Sequence, residues 1–219
     1  MGNGIEAAPQ SGKVPVAIGM VSVVRIPVPG SEGLCIELSP RGYVPAGGST
    51  STLFFQDKSG RRHLRLDYGY NVKTRTIDYH WNQKGTHSVF GLTDHSRAPR
   101  SGAALYHGAR YFRYAGRVLI VAGAAVDLVS IARSNRPLRR ATEVATAWAS
   151  AWVGCKIVGG AGAGTGTLVA PGPGTAVGGI AGCIIGGVGG YIGGESFGGR
   201  VYDWAEGTVF TALAEEPHP

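Results

Sequence analysis

Between residues 14 and 92 the apolar and polar positions alternate in short stretches, each bounded by chain-breaking residues. VAIGMVSVVRI (16–26), GLCIEL (33–38), STLFFQ (51–56), HLRLDYGY (63–70) and RTIDYHWN (75–82) are rich in β-formers and separated by Pro, Gly and Ser clusters. Each of them reads as a strand. The alternation is clearest at Leu64, Leu66 and Tyr68, and the loop at 69–73 predicts a hairpin with the strand that follows. A polar linker, TDHSRAPRSGAA (93–104), comes next. From Leu105 the period becomes helical. YHGARYFRYAGR sorts into an aromatic and an arginine face, as an interfacial helix does. VLIVAGAAVDLVSIA (118–132) is apolar except for Asp127 and Ser130, and Arg117 and Arg133 bound it. SNRPLRR (134–140) predicts a turn, and Thr142 and Glu143 open a helix running to Ala170. PGPG (171–174) then reverses the chain.

The last apolar stretch carries the most specific pattern. Gly174, Gly178, Gly182, Gly186, Gly190, Gly194 and Gly198 recur at every fourth position, and Gly162 and Gly166 continue that spacing on the preceding arm. On a helix this spacing makes one slowly winding stripe where a second backbone can approach closely. Membrane helices pack this way, because lipid supplies no hydrophobic drive between them. In water each such glycine weakens a helix by about 0.8–1 kcal/mol relative to alanine. TAVGGIAGCIIGGVGGYIGG (175–194) is 20 residues without a charge, the length of a span across a hydrocarbon core of about 30 Å. Its glycine and alanine content makes it weakly hydrophobic, which predicts conditional insertion in place of a permanent anchor.

Composition sharpens this. Glycine is 37 of 219 residues, concentrated in the second half, with no collagen period. The chain carries net +7, yet residues 97–140 alone hold nine arginines against Asp127, which is +8. A cationic belt beside apolar segments suits anionic headgroups better than nucleic acid. Arg110, Arg113, Arg117, Arg133, Arg136, Arg139 and Arg140 are the expected docking residues. Asp127 and Lys156 lie inside apolar runs, where ionisable groups are costly and often line a polar path, so both are candidates for a conducting lumen. The plainer reading places Asp127 at the exposed edge of a soluble core helix and lets Lys156 snorkel. Trp148, Trp152, Tyr202 and Trp204 suit either an interface or a core.

Three cysteines, Cys35, Cys155 and Cys183, are too few for a disulfide scaffold, and a small apolar role is the default for the two in the Gly/Ala-rich region. The N-terminus lacks the order of a signal peptide, which predicts a chain made in the cytoplasm and exported, if at all, without a cleaved signal. Asp67, Asp78, His80, His87, Asp94 and His95 place acid/base residue types close together, as a small hydrolase or nuclease would need. No HExxH, CxxC pair, P-loop or GxSxG accompanies them. An enzyme is therefore the alternative, and no catalytic residue, metal or cofactor is assigned.

LRLDYGYNVKTRTIDYHWNQKG, FGLTDH, YFRYAGRVLIVAGAAVDLVSI, the PLRRAT turn, WASAWVGCK and the zipper ending in YDW resemble, over about residues 63–210, a family of bacterial antibacterial toxins. The chain is similar to the small glycine-zipper pore-forming effectors delivered by type VI secretion systems. The resemblance implies action at the inner membrane of a recipient bacterium, where the toxin opens an ion-conducting path. It also implies a cognate immunity protein, a carrier component of the secretion apparatus and a soluble cytoplasmic state in the producer. One hairpin cannot enclose a channel, so a homo-oligomer in the membrane is expected. The expected fold is α+β and competent for membrane insertion. It comprises a β-rich soluble part (1–92), the linker, a helical region with the zipper hairpin (105–198) and an acidic end (199–219).

Overall fold

A computed structural model describes residues 12–38 and 50–214, with the side chains of residues 12–38 and 51–209. The fold is α+β: six antiparallel strands, three long helices and two short ones among the described residues. The chain opens with helix α1 (Lys13–Val23) and continues into strands β1 (Ile26–Pro27), β2 (Cys35–Glu37), β3 (Thr50–Gln56), β4 (His63–Asn71) and β5 (Thr76–Lys84). A single-turn helix, α2 (His87–Phe90), precedes strand β6 (Ser96–Arg97). The rest is helical: α3 (Ser101–Ala132), α4 (Pro137–Val169) and α5 (Pro173–Ala214).

The strands form one meander in sequence order, β1 to β6. Strands β4 and β5 pair in full register, Leu64 opposite Gln83, Leu66 opposite Trp81 and Asp67 opposite His80. Their period of two sorts the side chains by face. One face carries Ile26, Ile36, Leu53, Phe55, Leu64, Leu66 and Trp81, all buried. The opposite face carries Glu37, Gln56, Arg65, Asp67 and His80, also buried. A bulge between Ser51 and Leu53 shifts the register of β3 and leaves the hydroxyl of Thr52 to donate to the carbonyl of Tyr106 at 3.1 Å, tying the sheet to α3.

The first stretch expected as a strand, 16–26, is a helix over most of its length. Its valines and isoleucine favour a strand locally, and burial of Val16, Ala17, Gly19, Met20, Val21 and Ser22 removes the polar positions that would reveal a helical period. Pro15 is harmless because it lies in the first turn, where a missing N–H breaks no helical bond. Packing decides the outcome: α1 crosses α3 at small residues. A Cβ on Gly116 would lie 2.7 Å from Ser22, one on Gly123 2.6 Å from Val16, and one on Gly19 2.8 Å from Ile120. The segment expected as a linker contains β6 and the first residues of α3. Helix α4 starts earlier than a turn at PLRR allows, with Pro137 in its first turn. Helix α5 runs without interruption through Gly198 into the segment expected as a separate acidic end.

Between α4 and α5 the chain reverses at Gly172, whose φ of 85° suits glycine. This tip sits on the sheet: a Cβ on Gly172 would lie 3.1 Å from Leu92 and 3.7 Å from Leu64. Along its side the hairpin receives Ile26 and Pro27 against Gly159 and Gly160, and Ile36 against Gly179.

Candidate functional site

The zipper glycines pack against α4 of the same molecule. Gly174 faces Gly166, Gly178 faces Gly162, Gly182 faces Val158, Gly186 faces Gly154, Gly190 faces Ser150, and Gly194 and Gly198 face Thr146 and Thr142. At each of these α5 positions an added Cβ would come under 3.0 Å from the opposite helix. From Gly182 to Gly194 the obstructing atoms include backbone that cannot rotate away. The α4 stripe, Thr142, Thr146, Ser150, Gly154, Val158, Gly162 and Gly166, has the same four-residue spacing. Glycine spacing alone points only to Gly162 and Gly166 on this arm. Thr142, Thr146, Ser150 and Gly154 share the period and become legible once Thr and Ser are counted as small residues, while Val158 interrupts the small-residue pattern. Thr146 completes the match, its hydroxyl donating to the carbonyl of Gly194 at 2.8 Å.

Cys155 and Cys183 form a disulfide across this interface, with Cα atoms 3.7 Å apart. The small apolar role expected of them is thus corrected: both are fully buried, but they are joined. Cys35 is free, and burial pushes its thiol up from the ordinary value, against the opposing effect of Arg25.

Asp127 lies in the core, 1% exposed, not at an exposed helix edge. Its Oδ1 accepts from the backbone N–H of Gly12 at 2.9 Å and from the hydroxyl of Tyr191 at 2.8 Å. Its Oδ2 accepts from the indole N–H of Trp148 at 2.8 Å. In this folded state its carboxylate joins four helices and faces no lumen. Lys156 is elsewhere, half-buried with its Nζ 3.8 Å from the ring centroid of Trp152.

The arginine belt divides in two. Arg136, Arg139 and Arg140 meet acids of α4 and α5: Arg139 pairs with Asp203 at 2.8 Å and with Glu143, Arg136 with Asp203 and Glu206, and Arg140 with Glu143 and Glu195. Arg140 is buried and also donates to Ser130 of α3 at 3.0 Å. These three clasp the open end of the hairpin, opposite its tip. Arg110, Arg117 and Arg133 are exposed on α3. Arg113 is half-buried with its guanidinium 5.9 Å from the ring of Tyr114. Between them α3 presents a largely bare apolar surface, including Val118, Val121 and Leu128. Helices α3 and α5 are both long and apolar enough to cross a membrane, a test that the buried core helix of a soluble protein also passes.

The acid/base residues of the sheet converge only in part. The hydroxyl of Ser51 donates to Asp67, Arg65 lies 3.6 Å from Asp67, and the Nδ1 of His80 is 3.2 Å from Asp78. The ring of His95 stacks on that of His80, centroids 5.5 Å apart. His87 instead contacts the carbonyl of Leu92, and Asp94 accepts from the N–H of Gln83 and meets His95. Burial pushes the Asp67 carboxyl up, against the Ser51 hydrogen bond and the charge of Arg65. Burial also opposes ionisation of Asp78, but hydrogen bonds from Asn71, Thr74 and Arg97 outweigh it and hold its carboxyl below the usual range. These contacts tie Asp67, Asp78, His80 and His95 to neighbouring residues on the sheet's polar face. Among the described residues no three His, Cys, Asp or Glu side chains come together as a metal site.

Comparison with protein-family models, with curated proteins and with solved structures finds no match to this chain.

Proposed function

We propose that this chain is a pore-forming antibacterial toxin. It is held soluble until delivery, then inserts its apolar helices into the inner membrane of a recipient bacterium and dissipates the membrane potential. The observation that carries the reading is the pairing of a glycine-packed hairpin, whose second arm has no charge from residue 175 to 194, with a long apolar helix, α3, whose apolar window is only 17% buried. A soluble monomer gains nothing from exposing such a surface, whereas lipid would cover it. The resemblance to glycine-zipper effectors of type VI secretion systems supports the same reading. In that reading the arginines of α3 bracket its apolar run at both ends and meet headgroups there. Three of the seven docking arginines would first have to leave their acid partners. The zipper holds the hairpin together as it enters, and Asp127 and Lys156 contribute to the conducting path once the helices rearrange. Several copies enclose the channel. A cognate immunity protein shields the producer, and a carrier component of the secretion apparatus delivers the toxin.

The test is the membrane potential of bacteria expressing the chain with a periplasm-directing signal, read with a voltage-sensitive dye beside a large impermeant DNA stain. Rapid depolarisation without stain uptake is the expected result. Growth arrest with the potential intact would move the function to the polar face of the sheet, and changing Asp78 and His80 would then remove toxicity.

A further inference from the structure

We propose that Asp127 is a latch that keeps the apolar helix α3 folded onto the hairpin in water, and that its opening precedes insertion. The structural part stands on the geometry alone, while its consequence rests on the membrane reading above. Helix α3 packs mainly along α1, at the glycine crossings of Gly116 and Gly123. It meets the hairpin sparsely, at two polar points. One is Ser130 under Arg140, close to the short connection that joins α3 to α4 in any case. The other is Asp127, which takes Trp148 from α4, Tyr191 from α5 and the N–H of Gly12 at the head of α1.

A carboxylate suits this position because it offers two acceptor oxygens and no donor to three converging N–H and O–H groups. An apolar residue would leave those donors unpaired in the core, and an amide would turn its own donors toward one of them. Asp127 interrupts a run that is otherwise apolar from Val118 to Val129. It therefore weakens α3 as a membrane segment while strengthening it as a soluble one. One residue sets the balance between the two states of that helix. Arg140, Glu143 and Glu195 form their own network at the open end of the hairpin, and none of them bonds to Asp127.

The test is hydrogen exchange of the full chain in water, comparing amides of residues 118–132 with those of residues 178–190. It uses the parent, Asp127→Asn and the independent Trp148→Phe/Tyr191→Phe pair, which removes two donors and leaves the carboxylate in place. Selective acceleration of α3 by about tenfold or more, with the hairpin amides unchanged, is the expected result. Equal acceleration of both segments, or of neither, overturns the latch. The same proteins are then mixed with vesicles of phosphatidylethanolamine and phosphatidylglycerol, and the opened variants should insert several-fold faster than the parent. Selective opening of α3 with no insertion by any of the proteins would leave the latch standing and remove the membrane reading. Insertion of the opened variants at the parent's rate would overturn the latch as a control on insertion.

Discussion

The sheet and the hairpin bury themselves by opposite means. The sheet fills space: Trp81, Phe54, Phe55, Leu53, Leu64 and Leu66 are among the largest fully or nearly fully buried side chains. The hairpin removes it: its interface is glycine against backbone, with Ala147, Ala151, Ala163 and the Cys155–Cys183 pair beside it. A core built from large side chains loses stability when volume is taken out, and one built from absent side chains loses it when volume is put in. The two regions also differ outside. The hairpin uses little apolar side chain on its own interface, so Ile157, Leu168, Val169, Val177 and Ile185 remain exposed. In the proposed function that surplus is the surface that lipid would cover.

The largest effect is expected where the sheet is emptied. Trp81→Ala should cost about 3–5 kcal/mol, seen as a large drop in the denaturation midpoint, whereas Trp152, which is exposed, should tolerate alanine with little change. On the hairpin side, the disulfide closes a sequence separation of 28 residues. Replacing both cysteines with alanine should lower stability by about 2–4 kcal/mol, measured by chemical denaturation without reductant, and reductant should then have no further effect.

Two neighbouring glycines of α5 separate the zipper from mere glycine content. A Cβ on Gly186 would lie 2.7 Å from both the Gly154 carbonyl carbon and the Val158 Cβ, while nothing lies within 4 Å of one on Gly189. Gly186→Ala should therefore destabilise by about 1–3 kcal/mol, and Gly189→Ala should stabilise by about 0.8–1 kcal/mol. Thermal melts of the two variants check the opposite signs. Bulky residues at Gly182 and Gly186 should disturb the soluble fold itself, because both glycines already lie against the backbone of α4. An electrostatic effect of comparable size is expected at Asp78. The Asp78 carboxyl is depressed in the folded protein, so its contribution is present above the unfolded value of 3.8 and is lost as pH falls through the folded one. Asp78→Asn should cost about 1–2 kcal/mol at neutral pH, and the gap to the parent should narrow below pH 3.8 in a pH series of unfolding curves.

The hairpin, its reversal at residues 171–174 and the paired strands that carry Leu64 and Leu66 are legible in the sequence because their signals are short in range. Glycine at every fourth position and alternation at Leu64 and Leu66 are local patterns, and both place their elements well. Helix α1 reads as a strand because it is rich in valine and its exposed positions include Val14 and Val23, so it shows no polar period. The clasp is not legible, because Arg136 and Arg139 find Asp203 and Glu206 only once α5 continues past Gly198. The setting of Asp127 is hidden for the same reason, since its donors come from positions 12, 148 and 191. Contacts made across such separations leave no spacing to read.

The most direct measurement is made on the purified chain with phosphatidylethanolamine and phosphatidylglycerol vesicles holding a potassium diffusion potential, monitored by a voltage-sensitive dye together with an entrapped large fluorophore. Collapse of the potential with the fluorophore retained is the predicted result. A potential that persists while the chain is bound to the vesicles would contradict the pore.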